Sequence, residues 1–181
     1  MNIPNFISLA RLALVPLMVW LVLSGELASA FWVFVAAGVS DAVDGFIAKR
    51  FDMETELGKY LDPIADKAML VSVYISLGQQ GLIQTWLVIL VVFRDVLIIG
   101  GALLFQTLTQ SLFMQPLMIS KVNTLTQIVL AALILGGTGM NVESRPIAEF
   151  MVYVVAATTV MSGVAYVITW TRRAVEMEEE E

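Results

Sequence analysis

The chain has 181 residues, of which 59% are hydrophobic and 14% charged, and its mean hydropathy is +0.85. A water-soluble domain carries about 25% charge and about 45–50% apolar residues, so much of this surface must meet lipid. With no Cys and no His, disulfides, thiolate metal sites and imidazole chemistry are excluded, and polar chemistry falls to carboxylates, amides, hydroxyls, Lys and Arg. The net charge of −6 is concentrated in Glu176, Glu178, Glu179, Glu180 and Glu181, which read as a solvated, frayed tail over 174–181. No basic patch with interleaved aromatics marks a nucleic-acid partner.

Six apolar stretches follow one another, each long enough to cross a bilayer as a helix of roughly 20 residues. They run over Pro4–Leu23, Leu27–Ala48, Lys59–Leu77, Ile83–Phe105, Pro116–Leu135 and Ile147–Trp170. The first lacks the early Lys or Arg of a signal peptide and is long for one, so it reads as a retained helix. Connections are short, without a Pro/Ser-rich linker or a repeat of solenoid length. The expected architecture is all-α: one polytopic domain over 1–173 with six transmembrane helices. Lys49, Arg50 and Lys59 in the second connection, with Arg172 and Arg173 at the far flank, outweigh Arg145 on the other side. The positive-inside rule therefore sets both termini and the second connection in the cytoplasm.

Charges at membrane depth are costly and mark candidate sites. Here they cluster in Ser40-Asp41-Ala42-Val43-Asp44-Gly45-Phe46-Ile47-Ala48-Lys49-Arg50 and in Gly58-Lys59-Tyr60-Leu61-Asp62-Pro63-Ile64-Ala65-Asp66-Lys67. Asp41 and Asp44 are three apart, and Asp62 and Asp66 four apart, so each pair shares a helix face. One pair ends a helix and the other begins the next, across a connection short enough for antiparallel neighbours. Four carboxylates can then converge near the cytoplasmic interface. Their mutual repulsion calls for cations, and carboxylates select hard divalent ions, in a two-metal arrangement suited to phosphoryl transfer. The structural alternative is an interfacial salt-bridge network with Lys49, Arg50, Lys59 and Lys67. Gly45 and Gly58 would admit a phosphate or ribose close to the backbone, or simply serve packing.

This spacing resembles the signature of the CDP-alcohol phosphatidyltransferase family, D-x2-D-G-x2-A-R-x8-G-x3-D-x3-D, carried here by Asp41, Asp44, Gly45, Ala48, Lys49, Gly58, Asp62 and Asp66. The departure is Lys49, where the family has Arg; Lys keeps the charge without the planar fork, and Arg50 follows it. The opening Asn2-Ile3-Pro4-Asn5 with Arg11 resembles the start of bacterial phosphatidylglycerophosphate synthases and of CDP-alcohol-type cardiolipin synthases. Arg94-Asp95-Val96-Leu97-Ile98 and Ser120-Lys121-Val122-Asn123-Thr124 look more like the cardiolipin synthases of mitochondrial type; phosphatidylglycerophosphate synthases tend to have Arg-Glu where this chain has Arg94-Asp95.

The resemblance implies the family's six-helix membrane fold, a homodimer, and an active site open to the cytoplasm at the membrane interface, in a bacterial inner membrane. It implies that Asp41, Asp44, Asp62 and Asp66 bind Mg²⁺ or Mn²⁺, two ions in all, and that Asp66 is also the general base. Asn5, Gly45, Ala48, Lys49, Thr55 and Gly58 would serve the CDP-lipid. The expected reaction is attack of an acceptor hydroxyl on CDP-diacylglycerol with release of CMP. Phosphatidylglycerol is the expected acceptor, giving cardiolipin, with glycerol 3-phosphate the alternative. Arg94 and Lys121 lie in otherwise apolar helices and are candidates to bind the acceptor's phosphate; Arg11 is a further candidate that could instead snorkel. Arg94 could equally pair with Asp95, and Lys121 could act as an interfacial anchor. A cation channel or transporter, using intramembrane acids as an ion path, is the alternative of another class.

Overall fold

The computed structural model of the chain describes residues 3–50, 56–109 and 117–180. Among these residues the structure is all-helical. Six helices follow in order: α1 (Ile3–Leu23), α2 (Leu27–Arg50), α3 (Glu56–Gln79), α4 (Thr85–Thr109), α5 (Met118–Gly139) and α6 (Arg145–Glu180). Each corresponds to one apolar run. Several helices run past those limits, and at the ends of α2 and α6 the added residues include Lys, Arg and Glu, good helix formers that a hydropathy reading discards. The clearest case is α6, which continues ten residues beyond Trp170 through the acidic end to Glu180.

Among the described residues three segments are long and apolar enough to cross a membrane: Thr85–Ala102, Met118–Gly139 and Arg145–Arg172. Leu9–Leu23 and Leu27–Asp41 are shorter apolar helices. Arg11 lies within α1, Asp41 and Asp44 lie within α2, and Lys59, Asp62, Asp66 and Lys67 charge the first half of α3.

The distribution of side chains is that of a protein dissolved in lipid. Trp20, Trp32, Ile89, Phe93, Phe150 and Tyr153 point outward, while Arg11, Arg94, Asp95, Asn123 and Gln127 are buried. Water would favour the reverse, whereas a bilayer rewards apolar exposure and forces polar side chains onto one another. The protein is an integral membrane protein on these grounds.

Two compact units are described separately. The first holds 1–85 with 131–148. Within it α1 packs against both α2 and α3, and its turns share one end. Gly25 and Gly81 take positive φ after α1 and α3, a conformation that favours glycine. Each closes a Schellman motif, through Glu26 N→Leu21 O and Gly25 N→Val22 O after α1, and through Leu82 N→Leu77 O and Gly81 N→Gly78 O after α3. Asn141 does the same after α5. Gln80 Nε2 donates to Val22 O and Leu23 O at 3.2 and 2.7 Å, joining the ends of α3 and α1. At Gly139 the end of α5 lies so close to α2 that a Cβ would overlap the backbone of Leu27 and Ala28. From Leu23 back to Arg11 is about 18 Å along α1, so the candidate site occupies the opposite end of this unit.

The second unit holds 86–130 with 149–181. Its core is crossed by a polar seam. Arg94 of α4 donates from one terminal nitrogen to Asp95 Oδ1 at 2.7 Å, and from the other to Ser120 Oγ of α5 at 2.6 Å and to Ser162 Oγ of α6. Asn123 Oδ1 accepts from Thr158 and Thr159 of α6, both at 2.9 Å. Interhelical bonds of this kind hold helices together where lipid supplies no hydrophobic drive between them.

Candidate active site

The site is built where α1, α2 and α3 meet. Arg11 is an arginine in an apolar helix and is 3% exposed. Burying a guanidinium costs several kcal/mol unless carboxylates compensate it. The compensation comes from two different helices. Arg11 Nη1 lies 2.8 Å from Asp41 Oδ1 of α2 and is hydrogen-bonded to Asp66 Oδ1 of α3. One nitrogen thus marks a point on which two carboxylates converge. The arrangement is lopsided: the Arg11 side chain is 4% exposed, whereas those of Asp41 and Asp66 are 42% and 44% exposed. The cation sits behind the carboxylates, and the carboxylates face outward.

Asp44 and Asp62 lie on helical backbone in α2 and α3, each one turn from its described partner acid, as the three- and four-residue spacings predict. Their side chains, and those of Asn5, Gly45, Ala48, Lys49 and Gly58, lie outside the described residues, as does the whole of Thr55. With two of the four acids described, no group of three or more metal-ligating side chains occurs among the described residues. The two described acids nonetheless fit a divalent cation. They come from neighbouring helices, aim oxygen at one centre, and already hold a positive group there. Oxygen is the donor that Mg²⁺, Mn²⁺ or Ca²⁺ requires.

Arg11 does not snorkel to the interface; it turns inward to the acids. Its place among the acids is the feature that sequence reasoning missed, since Lys49, Arg50, Lys59 and Lys67 are the cations nearest in sequence. The available signal is the cost of a lone arginine in an apolar helix, which demands a carboxylate from elsewhere. Arg94 is buried and paired with Asp95, the alternative weighed from sequence. Lys121 is exposed at the start of α5, directly after the Ser120 that Arg94 holds. Ser162, Thr158 and Thr159 were not singled out in the sequence; their signal is a recurrence on one side of α6, spaced by one and four residues, opposite the Ser120, Asn123 and Gln127 face of α5.

Lipid-facing helices with charged groups gathered inside define an integral membrane protein with an embedded acidic site. The chain belongs to the CDP-alcohol phosphatidyltransferase family, whose model matches residues 1–171. It is 34% identical to a chloroplastic CDP-diacylglycerol–glycerol-3-phosphate 3-phosphatidyltransferase of Oryza sativa subsp. japonica, an alignment covering 94% of this chain and 57% of that protein. It is 32% identical to a cardiolipin synthase (CMP-forming) of Rattus norvegicus, over 91% of this chain and 60% of that protein. Against the CDP-diacylglycerol–glycerol-3-phosphate 3-phosphatidyltransferase of Bacillus subtilis it is 31% identical, over 91% of this chain and 93% of that protein. The chain therefore spans less than two thirds of the plant and animal relatives and nearly all of the bacterial one.

Proposed function

We propose that the protein transfers a phosphatidyl group from CDP-diacylglycerol to an acceptor hydroxyl, releasing CMP, and that the acceptor is phosphatidylglycerol, so that the product is cardiolipin. The observation that carries the reaction class is the convergence of Asp41 and Asp66, from two helices, on one cationic point within the family's signature. The cardiolipin reading rests on the Arg94-Asp95 and Ser120-Lys121-Val122-Asn123-Thr124 segments and on the rat relative's name. Phosphatidylglycerophosphate synthesis, with glycerol 3-phosphate as acceptor, is the second reading; it is favoured by the Bacillus subtilis relative, whose length this chain nearly matches.

In the proposed step the acceptor oxygen forms a bond to the phosphorus that carries diacylglycerol. The bond from that phosphorus to the bridging oxygen breaks, and CMP leaves with the electron pair. Asp66 accepts the hydroxyl proton through a carboxylate oxygen. Asp41, Asp44, Asp62 and Asp66 would hold two ions, Mg²⁺ or Mn²⁺, which would supply positive charge to the diphosphate and to the charge that develops on it. Asn5, Gly45, Ala48, Lys49, Thr55 and Gly58 contact the CDP-lipid, by analogy with the family signature. Lys121 supplies the positive charge for the acceptor's phosphate, and Arg94 holds the start of α5 that carries it through Ser120. All six helices span the membrane of a homodimer, with both termini and the site on the cytoplasmic side of a bacterial inner membrane; the Lys/Arg bias of the connections supports this orientation.

The test uses purified protein in liposomes with CDP-diacylglycerol, Mn²⁺ or Mg²⁺, and phosphatidylglycerol or glycerol 3-phosphate in separate reactions. Cardiolipin from phosphatidylglycerol supports the first reading. Phosphatidylglycerophosphate from glycerol 3-phosphate alone would establish the second.

A further inference from the structure

We propose that Arg11 is a built-in place-holder for the metal: its guanidinium occupies the cation position between Asp41 and Asp66 and competes with a divalent ion for it. The inference rests on the reading of these aspartates as metal ligands and asks what their observed partner does to that site.

Three observations carry it. First, Arg11 uses the same nitrogen, Nη1, toward Oδ1 of both Asp41 and Asp66. Two carboxylates sharing one nitrogen is the geometry of a bridging cation, with N–H in place of a metal. Second, α1 packs against both α2 and α3, so one side chain from α1 can hold the two acidic helices together and limit the repulsion that their charges would otherwise exert. Third, the exposure is asymmetric, with the guanidinium buried and the carboxylates nearly half exposed. An ion arriving from the open side meets the carboxylates first and the arginine behind them.

Shared occupancy is unfavourable for two reasons. Metal–oxygen distances are about 2.0–2.6 Å, against about 2.7–2.9 Å for an arginine–carboxylate bond, so the oxygens must close in on the ion. The guanidinium would then face a doubly charged ion from hydrogen-bonding distance, and like charges repel most strongly where the dielectric is low. Metal binding therefore displaces Nη1 from at least one carboxylate. The arginine contact must be given up for the ion to bind, and this competition raises the apparent Kd of the ion.

The experiment measures Mn²⁺ binding to the purified full chain in detergent, by the loss of the free-ion electron paramagnetic resonance signal, with thermal midpoints taken with and without Mn²⁺. Arg11→Gln removes the competing charge. It should tighten Mn²⁺ binding roughly tenfold or more, as expected when a nearby like charge is lost. It should also melt earlier than the parent without Mn²⁺ and show the larger Mn²⁺-induced rise. Should Arg11→Gln fail to fold, Arg11→Lys carries the same test: a shorter, single-point cation bridges the two acids less well, and the affinity should still rise about threefold. Unchanged or weaker Mn²⁺ binding in the folded variant overturns the place-holder while leaving the metal assignment standing, since the parent would still bind. Absence of Mn²⁺ binding in parent and variant alike overturns both.

Discussion

Replacing Asp95 by Asn strips the negative charge from a buried pair while keeping its shape, and the cost can be worked from the seam in the second unit. Arg94 and Asp95 side chains are 3% and 5% exposed, with Nη1 and Oδ1 2.7 Å apart. Breaking a buried pair by removing one charge costs about 3–5 kcal/mol, because the remaining charge is left uncompensated. Asn still accepts a hydrogen bond, and Ser120 and Ser162 still receive the other nitrogen of Arg94, so the lower figure of about 3 kcal/mol applies. At about 2–4 °C per kcal/mol for a chain of this size, the thermal midpoint should fall by about 6–12 °C. Arg94→Leu alone should cost a similar amount, leaving Asp95 as the buried charge. The double variant Arg94→Leu with Asp95→Leu removes both charges together and should be more stable than either single variant, since hydrophobic replacement of a whole buried pair is often neutral. The assay is fluorescence-detected size exclusion after heating in detergent. A midpoint for Asp95→Asn within about 1 °C of the parent, a shift far below the cost of a stranded charge, would refute the reasoning. So would a double variant whose loss equals the sum of the singles.

Three further outcomes follow from the site and the fold. Asp66→Asn should lower CMP release by about 10²–10⁴, the usual range for loss of a general base, as measured by nucleotide chromatography at saturating Mn²⁺; CMP release equal to the parent's would remove Asp66 from that role. Lys121→Ala should raise the acceptor's KM by roughly tenfold, the loss of about 1.4 kcal/mol of binding, and leave the KM for CDP-diacylglycerol unchanged; equal shifts for both substrates would argue against acceptor binding. Gly139→Leu should lower the thermal midpoint through an overlap with the backbone of Leu27 and Ala28, at a cost of about 1–3 kcal/mol for overpacking. Gly38→Leu is its control, because a Cβ there meets nothing within 4 Å.

Local chemistry made much of the fold legible. Six apolar runs became six helices, since in lipid a backbone must satisfy its hydrogen bonds internally and a helix does so without partners. The turn residues are equally local: Gly25, Gly81 and Asn141 each adopt positive φ at a helix end, where residues of those types are expected. The helix ends were less legible because a charged terminal turn looks like tail to a hydropathy scale, as in 171–180 of α6. The acids stood out through their 3- and 4-residue spacings along single helices. Their partner did not, because which side of α1 faces α2 and α3 is a tertiary fact. The hydroxyl seam of Ser120, Thr158, Thr159 and Ser162 was hidden for a related reason: small hydroxyls can bond their own helix backbone, as Thr158 also does to Val154 and Val155, so their presence alone does not announce an interhelical contact.

Arg11 and Arg94 present the same problem to the membrane and solve it in opposite ways. Each is an arginine buried among apolar helices, and each takes a carboxylate. Arg94 takes its neighbour on the same helix, Asp95; both side chains are almost fully buried, and its second terminal nitrogen is spent on Ser120 and Ser162, while Nε is buried without a hydrogen-bond partner among the described residues. Nothing in that arrangement needs a further cation, and its removal as a pair should be tolerated. Arg11 takes its carboxylates from two other helices, and both of them remain nearly half exposed. A purely structural pair has reason to bury its acids, because burial strengthens the attraction and excludes competing ions. Acids that stay open while their cation is sealed behind them remain available to a second positive charge. The difference in exposure, rather than the presence of an ion pair, separates a structural clamp in α4 from a site poised for exchange at α1, α2 and α3, which is why metal affinity and not stability alone should respond to Arg11.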